Sequence, residues 1–121
     1  MGGSGYSEFA EYISTGKMKA IAVTSGQRLA GINVPTLKEQ GIDVELGNWR
    51  GVFGGPGITP AQRKGLIDAI VAATKSASWQ EALKKNDWTS AVLTGDEFTK
   101  FVDNEFSSLR AVMAKSGMIQ G

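Results

Sequence analysis

Apolar residues recur at helical spacing in three parts of the chain. The first part, Tyr6–Ser14, is predicted as a helix with Ser7 as its cap, and Gly16 ends it. A second stripe follows Thr59, and a third follows Thr94 and ends near Gly117. Both have the spacing of a helix that buries one face, so we expect their apolar residues in the core. These residues are Leu66, Ile67, Ile70, Val71 and Thr74 in the second stripe, and Phe98, Phe101, Val102, Phe106, Leu109, Val112 and Met113 in the third.

Shorter apolar runs predict strands. Residues 20–23, within the segment 18–24, are almost continuously apolar, which is typical of a strand covered on both faces. Val44 and Leu46 alternate with polar residues, and segments 49–54 and 89–93 are further candidates. The alternation of helices and strands along the chain predicts an α/β fold.

Four capping signatures indicate where helices begin. In each, a Ser or Thr is followed three residues later by Glu or Gln, whose side chain can bond back to the cap. The four pairs are Thr36 with Glu39, Thr59 with Gln62, Ser78 with Glu81, and Thr94 with Glu97. Pro60 takes the first helical position after Thr59, where its missing N–H costs nothing. Gly41 is predicted to close the short helix after Thr36.

Composition narrows the chemistry that this chain can perform. The 121 residues include 13 Lys+Arg and 12 Asp+Glu, for a formal net charge of +1, and neither His nor Cys. Without these side chains the chain cannot build a Ser-His-Asp triad, a thiolate nucleophile, or a zinc or iron–sulfur site based on Cys or His. The balanced charge argues against a nucleic-acid partner, which would require a basic stripe. We therefore expect that the chain is not an enzyme and that it has no catalytic residue, no metal site and no cofactor.

Arg50 is the side chain with the clearest potential for ligand chemistry. It lies between Trp49 and Gly51, and strand alternation would place Trp49 and Arg50 on opposite faces. Arginine suits a bidentate grip on a carboxylate. The alternative is a surface arginine or an internal ion pair, because charged strand residues mostly meet water. The Gly-rich residues 54–57 lack the Lys-Ser/Thr ending of a phosphate loop and are predicted as a turn.

Several motifs, taken in order, resemble one protein family. They are GKMKAIAVTS at residues 16–25, Arg28, VPTLKEQG at 34–41, NWRGVF at 48–53 with PGITP at 56–60, and LTGDEF at 93–98. This set resembles the carboxyl-terminal part of the solute-binding proteins of tripartite tricarboxylate transporters, also called the Bug family. The resemblance covers nearly everything after Gly5. The Trp-Arg-Gly form is most similar to the branch associated with tricarboxylates such as citrate.

The resemblance implies a function and a location. Family members are periplasmic proteins with two α/β lobes around a carboxylate-binding cleft, and they deliver small organic carboxylates to membrane permease subunits. On the ligand side we expect Arg50 and the loop 24–28. Arg50 or Arg28 would pair with a substrate carboxylate, and the hydroxyl groups of Thr24 and Ser25 would donate hydrogen bonds.

The implied fold also divides the chain. Residues 6–47 would end the second lobe, and residues 54–121 would complete the first lobe. Residues 48–53 would form the crossover strand between the lobes, with Asn48, Trp49 and Gly51 as the hinge. Residues 1–5 have the composition of a flexible linker, and we expect them to be an artificial leader.

A match to only the carboxyl-terminal part of the family has a physical consequence. Strands that normally pair with the missing strands would expose edges and apolar faces. We therefore expect a dimer, a domain swap through the crossover segment, or association with a complementary fragment. The alternative to a carboxylate-binding component is a structural, self-assembling fragment without useful ligand binding.

Overall fold

Helices are the main regular elements of the computed structural model, which describes residues 2–119. The α-helices of that range are α1 (Tyr6–Ser14), α2 (Pro60–Thr74), α3 (Ala77–Lys85) and α4 (Gly95–Lys115). A 3-10 turn, Lys38–Gln40, lies between α1 and α2 in the chain. The chain divides into two compact units, the first ending at Phe53 and the second beginning at Gly54. None of the described helices combines the length and the apolar character needed to cross a membrane.

Helices α2 and α4 both begin where the sequence predicts, but for different reasons. The hydroxyl of Thr59 accepts the N–H of Gln62 at 3.2 Å, and the Gln62 side chain accepts the N–H of Thr59 at 2.9 Å. This is the predicted reciprocal box, with Pro60 at the first helical position. Thr94 precedes α4, but its side chain makes no capping bond. Two carboxylates in the first turn of α4 instead favour this start, because the helix N-terminus is positive.

Two predicted caps are wrong in position. Helix α1 begins after Gly5, whose N–H donates to the Glu8 carboxylate at 3.0 Å, so Ser7 lies inside the helix. Helix α3 begins after Ser76 rather than at Ser78, because the Ser76 hydroxyl accepts the N–H of Trp79 at 3.2 Å. In both places several residues that can cap a helix follow one another closely. The residue pattern alone does not choose between them.

The predicted strands are the largest error. Within residues 2–119, strand pairing is reduced to one isolated parallel bridge between Val23 and Thr36. Ile21, in the run predicted to be covered on both faces, is 62% exposed. Segments 44–46, 49–54 and 89–93 form no strand either. A strand requires a neighbour for its ladder hydrogen bonds, and the described chain supplies only this bridge. The predicted α/β fold is therefore realised in its helices and hardly at all in its strands.

The buried core is small. Among the described residues, the buried apolar side chains are Val34 and Leu83, and Thr36 is a buried polar residue at 2% exposure. The accessible surface is 9788 Å². Two separate compact units of these sizes would together expose only roughly 7,600 Å². The chain thus exposes roughly 2,200 Å² more surface than two compact domains of these masses would expose.

The predicted core stripes of α2 and α4 are covered only in part. In α2, Leu66 is 52% and Ile70 is 44% exposed. The half-buried members of the two stripes are Ile67, Val71 and Thr74 in α2, and Phe98, Phe101 and Val102 in α4. The exposed members in α4 are Phe106, Leu109, Val112 and Met113. The prediction that these stripes lie in the core is therefore wrong for the second half of α4.

Candidate functional site

The loop 24–28 is anchored by residues that come later in the chain. The carbonyl oxygen of Thr24 accepts the N–H of Leu46 at 2.9 Å, and the Thr24 hydroxyl donates to the Leu46 carbonyl at 2.7 Å. The hydroxyl of Ser25 donates to the carbonyl of Gln27 at 2.6 Å. Both predicted hydroxyl donors therefore make hydrogen bonds within the protein, where they shape the loop.

Arg28 is fixed by contacts with one carboxylate and one amide. Its Nε lies 3.1 and 2.9 Å from the two carboxylate oxygens of Glu39, and its Nη1 donates to Asn33 Oδ1 at 3.0 Å. The Glu39 carboxylate also accepts the N–H of Thr36 at 3.0 Å, and the Glu39 N–H donates to Thr36 Oγ1 at 3.0 Å. This confirms the capping box predicted at Thr36. One carboxylate thus completes the box and orients Arg28.

The same contacts lower the pKa of the Glu39 carboxyl. The hydrogen bond from the Thr36 backbone is the largest cause, and the side-chain hydrogen bond from Arg28 comes next. Both favour the ionised form of the carboxyl group. The chain then turns away at Gly41, whose φ of +83° confirms the predicted closing glycine.

A second ion pair lies beside the loop. Lys38 Nζ is 2.7 Å from Glu45 Oε2, and the hydrogen bond to Glu45 is the main reason that the pKa of Lys38 is raised. The Glu45 carboxylate oxygens also lie 2.7 Å from where a Cβ on residue 26 would be, so Gly26 is what allows this approach. Within each of the two pairs, Lys38 with Glu45 and Arg28 with Glu39, the positive and the negative charge cancel.

Arg50 lies four residues beyond the Leu46 anchor. An extended chain spans at most about 3.6 Å per residue, so the Cα atoms of Arg50 and Leu46 are within about 14 Å of each other. Arg50 is exposed, in a segment without helix or strand. The first unit therefore contains all four predicted ligand-side residues, Thr24, Ser25, Arg28 and Arg50. The predicted hinge residues, Asn48, Trp49 and Gly51, are exposed in the same segment as Arg50.

The sequence did not indicate that three further charged residues would lie near the loop 24–28. They are Lys38, Glu39 and Glu45, which pair with one another or with Arg28. The capping signature identified Glu39 as a helix-start residue, and that was the available signal. Nothing in the spacing of Glu45 indicated that its carboxylate would reach Lys38 and Gly26.

The second unit contains a groove of about 300 Å³ between α2 and α4. Its lining is mainly apolar and includes Ile58, Leu66 and Phe98. At its edge Arg63 Nη2 donates to Asp96 Oδ1 at 3.0 Å, and both side chains remain largely exposed. In the part of the chain that the structure describes, no group of three or more metal-ligating side chains could hold a metal ion.

Comparison with known proteins identifies the family. The family model described as "Tripartite tricarboxylate transporter family receptor" matches residues 5–118. The chain therefore belongs to this family, which confirms the resemblance inferred from its motifs. Members of the family are transport receptors and not enzymes. Of the residues expected to form a leader, Gly5 lies inside the matched range, and Met1 lies outside the described residues.

One curated relative gives the scale of the match. The "UPF0065 protein in gbd 5'region" of Cupriavidus necator is 26% identical over 111 residues, which are 91% of this chain and 34% of the relative. The chain thus spans about a third of the length of that relative. The comparison with solved structures found no match.

Proposed function

We propose that this chain contributes part of the ligand-binding site of a receptor for organic carboxylates. Membership of the receptor family supports the binding role. The observation that carries the assignment is the double hydrogen bond between Thr24 and Leu46. Because Arg50 follows this anchor by only four residues, the anchor supports the proposal that Arg50 and the loop 24–28 act on one ligand. Arg50 would grip one carboxylate of the ligand through two parallel N–H donors.

The surrounding charges would decide how the ligand binds. Glu39 and Glu45 would repel an approaching carboxylate if Arg28 and Lys38 did not neutralise them. The charges cancel within each of these two pairs, and Arg50 would add a further positive charge to the first unit. The hydrogen bonds from Arg28 to Glu39 and Asn33 use its Nε and Nη1. A guanidinium has further N–H groups, which could donate hydrogen bonds to a second carboxylate of the ligand. A tricarboxylate such as citrate would suit two arginines of this kind.

The wider architecture is proposed from the family. Residues 6–47 and 54–121 would belong to two α/β lobes, with the crossover at 48–53 and the hinge at Asn48, Trp49 and Gly51. The chain would be the carboxyl-terminal piece of a periplasmic receptor that passes its ligand to membrane permease subunits. The one-third share of the curated relative supports only the part of this proposal that makes the chain a piece of a longer receptor.

Thermal unfolding with and without citrate and related di- and tricarboxylates tests the proposal. A ligand raises the Tm of the state that it binds, so citrate should raise the Tm of the unaltered chain. Arg50→Ala should abolish most of that rise. Arg110→Ala removes the same charge from an exposed site in α4 and should leave the rise intact. The proposal fails if millimolar citrate and the other acids leave the Tm unchanged, or if Arg50→Ala retains the full shift.

A self-assembling role without ligand binding is the second candidate. The surplus of exposed surface, roughly 2,200 Å² beyond that of compact domains of this mass, favours it. In that case every carboxylate would leave the Tm unchanged. The Tm would instead rise with protein concentration, because association stabilises the folded state by mass action.

A further inference from the structure

A carboxylate of the protein itself lies on the loop 24–28. Both carboxylate oxygens of Glu45 are 2.7 Å from the point where a Cβ on residue 26 would be, so the carboxylate rests against the backbone of Gly26. Gly26 is not among the glycines with a positive φ, so its backbone conformation does not require glycine. What requires a glycine here is the space over Gly26, which the Glu45 carboxylate fills.

Glu45 is held in this space from two sides. The next residue, Leu46, exchanges two hydrogen bonds with Thr24, and these fix the backbone of Glu45 beside the loop. Lys38 Nζ donates to Glu45 Oε2 at 2.7 Å. The space over Gly26 therefore offers a carboxylate both room and a charged hydrogen-bond donor, the kind of donor that binds carboxylates most strongly.

The contact between Lys38 and Glu45 can be opened. Their side chains are 42% and 55% exposed, and an ion pair this exposed contributes little, so breaking it would weaken ligand binding by at most about fivefold. The Glu39 carboxylate is held differently, because it accepts the backbone N–H of Thr36 as well as Arg28 Nε. Glu45 is therefore the carboxylate near the loop that a ligand can most readily replace.

We propose that the Glu45 carboxylate occupies the place of a ligand carboxylate, and that a ligand binds by displacing it from Gly26 and Lys38. This inference rests on the proposed function, because it requires the loop 24–28 to be part of the ligand site. After the exchange, the ligand carboxylate lies over Gly26 and accepts a hydrogen bond from Lys38, while the Glu45 side chain turns to solvent. Glu45 is thus an autoinhibitory competitor within the chain, and Lys38 is a ligand-binding residue.

Citrate titrations of isotopically labelled protein, followed by NMR, test this exchange. Glu45→Ala removes the competitor and should lower the citrate dissociation constant, measured at the amides of the loop 24–28, by about threefold to fivefold. Asp43→Ala is the matched control, because it removes an exposed negative charge that also acts on Lys38 but leaves Glu45 over Gly26. Its effect should stay below about twofold, because salt screens exposed charges.

Equal dissociation constants for the unaltered chain and Glu45→Ala would overturn the exchange and leave carboxylate binding in place. The same gain in Glu45→Ala and Asp43→Ala would also overturn it, because charge alone would then explain the effect.

The side-chain carboxyl carbon of Glu45 gives a second readout that needs no variant. In the unaltered chain its ¹³C resonance should shift with the same dissociation constant as the loop amides, while the carboxyl resonance of Glu39 should stay in place. Shifts of the loop amides without a shift at Glu45 would overturn the exchange. If citrate shifts no resonance in either the unaltered chain or Glu45→Ala, the proposed function itself fails, and the exchange fails with it.

Discussion

Replacing Thr36 by valine removes a polar contact from the best-buried position in the first unit. Thr36 is 2% exposed, and its hydroxyl accepts the N–H of Glu39 at 3.0 Å. Valine keeps the shape of the side chain but leaves that N–H without its partner. An unsatisfied group of this kind costs about 1–3 kcal/mol. We therefore expect Thr36→Val to lower the free energy of unfolding by about 1–3 kcal/mol, since loss of a capping residue falls in the same range.

Two control variants separate the hydroxyl from the other properties of this position. Thr36→Ser keeps the acceptor and loses one methyl group, which costs about 0.8 kcal/mol. Thr59→Val removes the equivalent acceptor from an exposed capping box, where water can replace it. Its cost should therefore be near the low end of the capping range, about 0.5 kcal/mol.

Urea unfolding followed by circular dichroism measures these differences, and amide hydrogen exchange at Glu39 localises them. Thr36→Val should lose protection of the Glu39 amide, while Thr36→Ser should keep it. The reasoning would be refuted by a valine variant that is as stable as the unaltered chain and still protects this amide.

Two further predictions concern the pH dependence and the core. Because the pKa of Glu39 is lowered in the folded state, the stabilising contribution of this carboxylate is complete above the ordinary value of 4.5 and is lost as the pH falls through the lower folded value. In Glu39→Gln, the urea midpoint should therefore vary less with pH over that acidic range than it does in the unaltered chain. The same pH dependence in both proteins would contradict this. Leu83→Ala should lower the free energy of unfolding by about 2–5 kcal/mol, because Leu83 is buried in α3. Leu66→Ala, at a site that is 52% exposed, should cost clearly less in the same urea experiment, and equal costs would contradict the assigned core.

Local signals in the sequence predicted part of the local structure: of the four predicted capping boxes, those at Thr36 and Thr59 form, whereas the cap of α3 is Ser76 rather than Ser78 and Thr94 makes no capping bond. The boxes at Thr36 and Thr59 form as expected, because the interacting groups are three residues apart and need no tertiary partner. The starts of α2 and α4 and the turn at Gly117 also lie where the sequence predicts, although the Thr94 side chain makes no capping bond at the start of α4. The start of α3 was misplaced by two residues, because Ser76 and Ser78 are both able to cap it.

The long-range structure could not be predicted in this way. A strand depends on a neighbour elsewhere in the chain, and the apolar run at 20–23 finds only the single bridge at Val23. The apolar stripe of α4 predicted burial, but a stripe does not specify which surface covers it. For the site, arginine chemistry singled out Arg50, and the family resemblance added Arg28. It could not predict that Glu39, 11 residues beyond Arg28, would pair with it.

Titration of citrate into isotopically labelled protein, followed residue by residue by NMR, tests carboxylate binding most directly. The account predicts saturable shifts of the backbone amides in the loop 24–28 and at residues 49–51, with the same dissociation constant at both places. These shifts should disappear in Arg50→Ala. An unchanged spectrum at millimolar citrate, or shifts confined to α2 and α4, would contradict the assignment of the carboxylate site to the first unit.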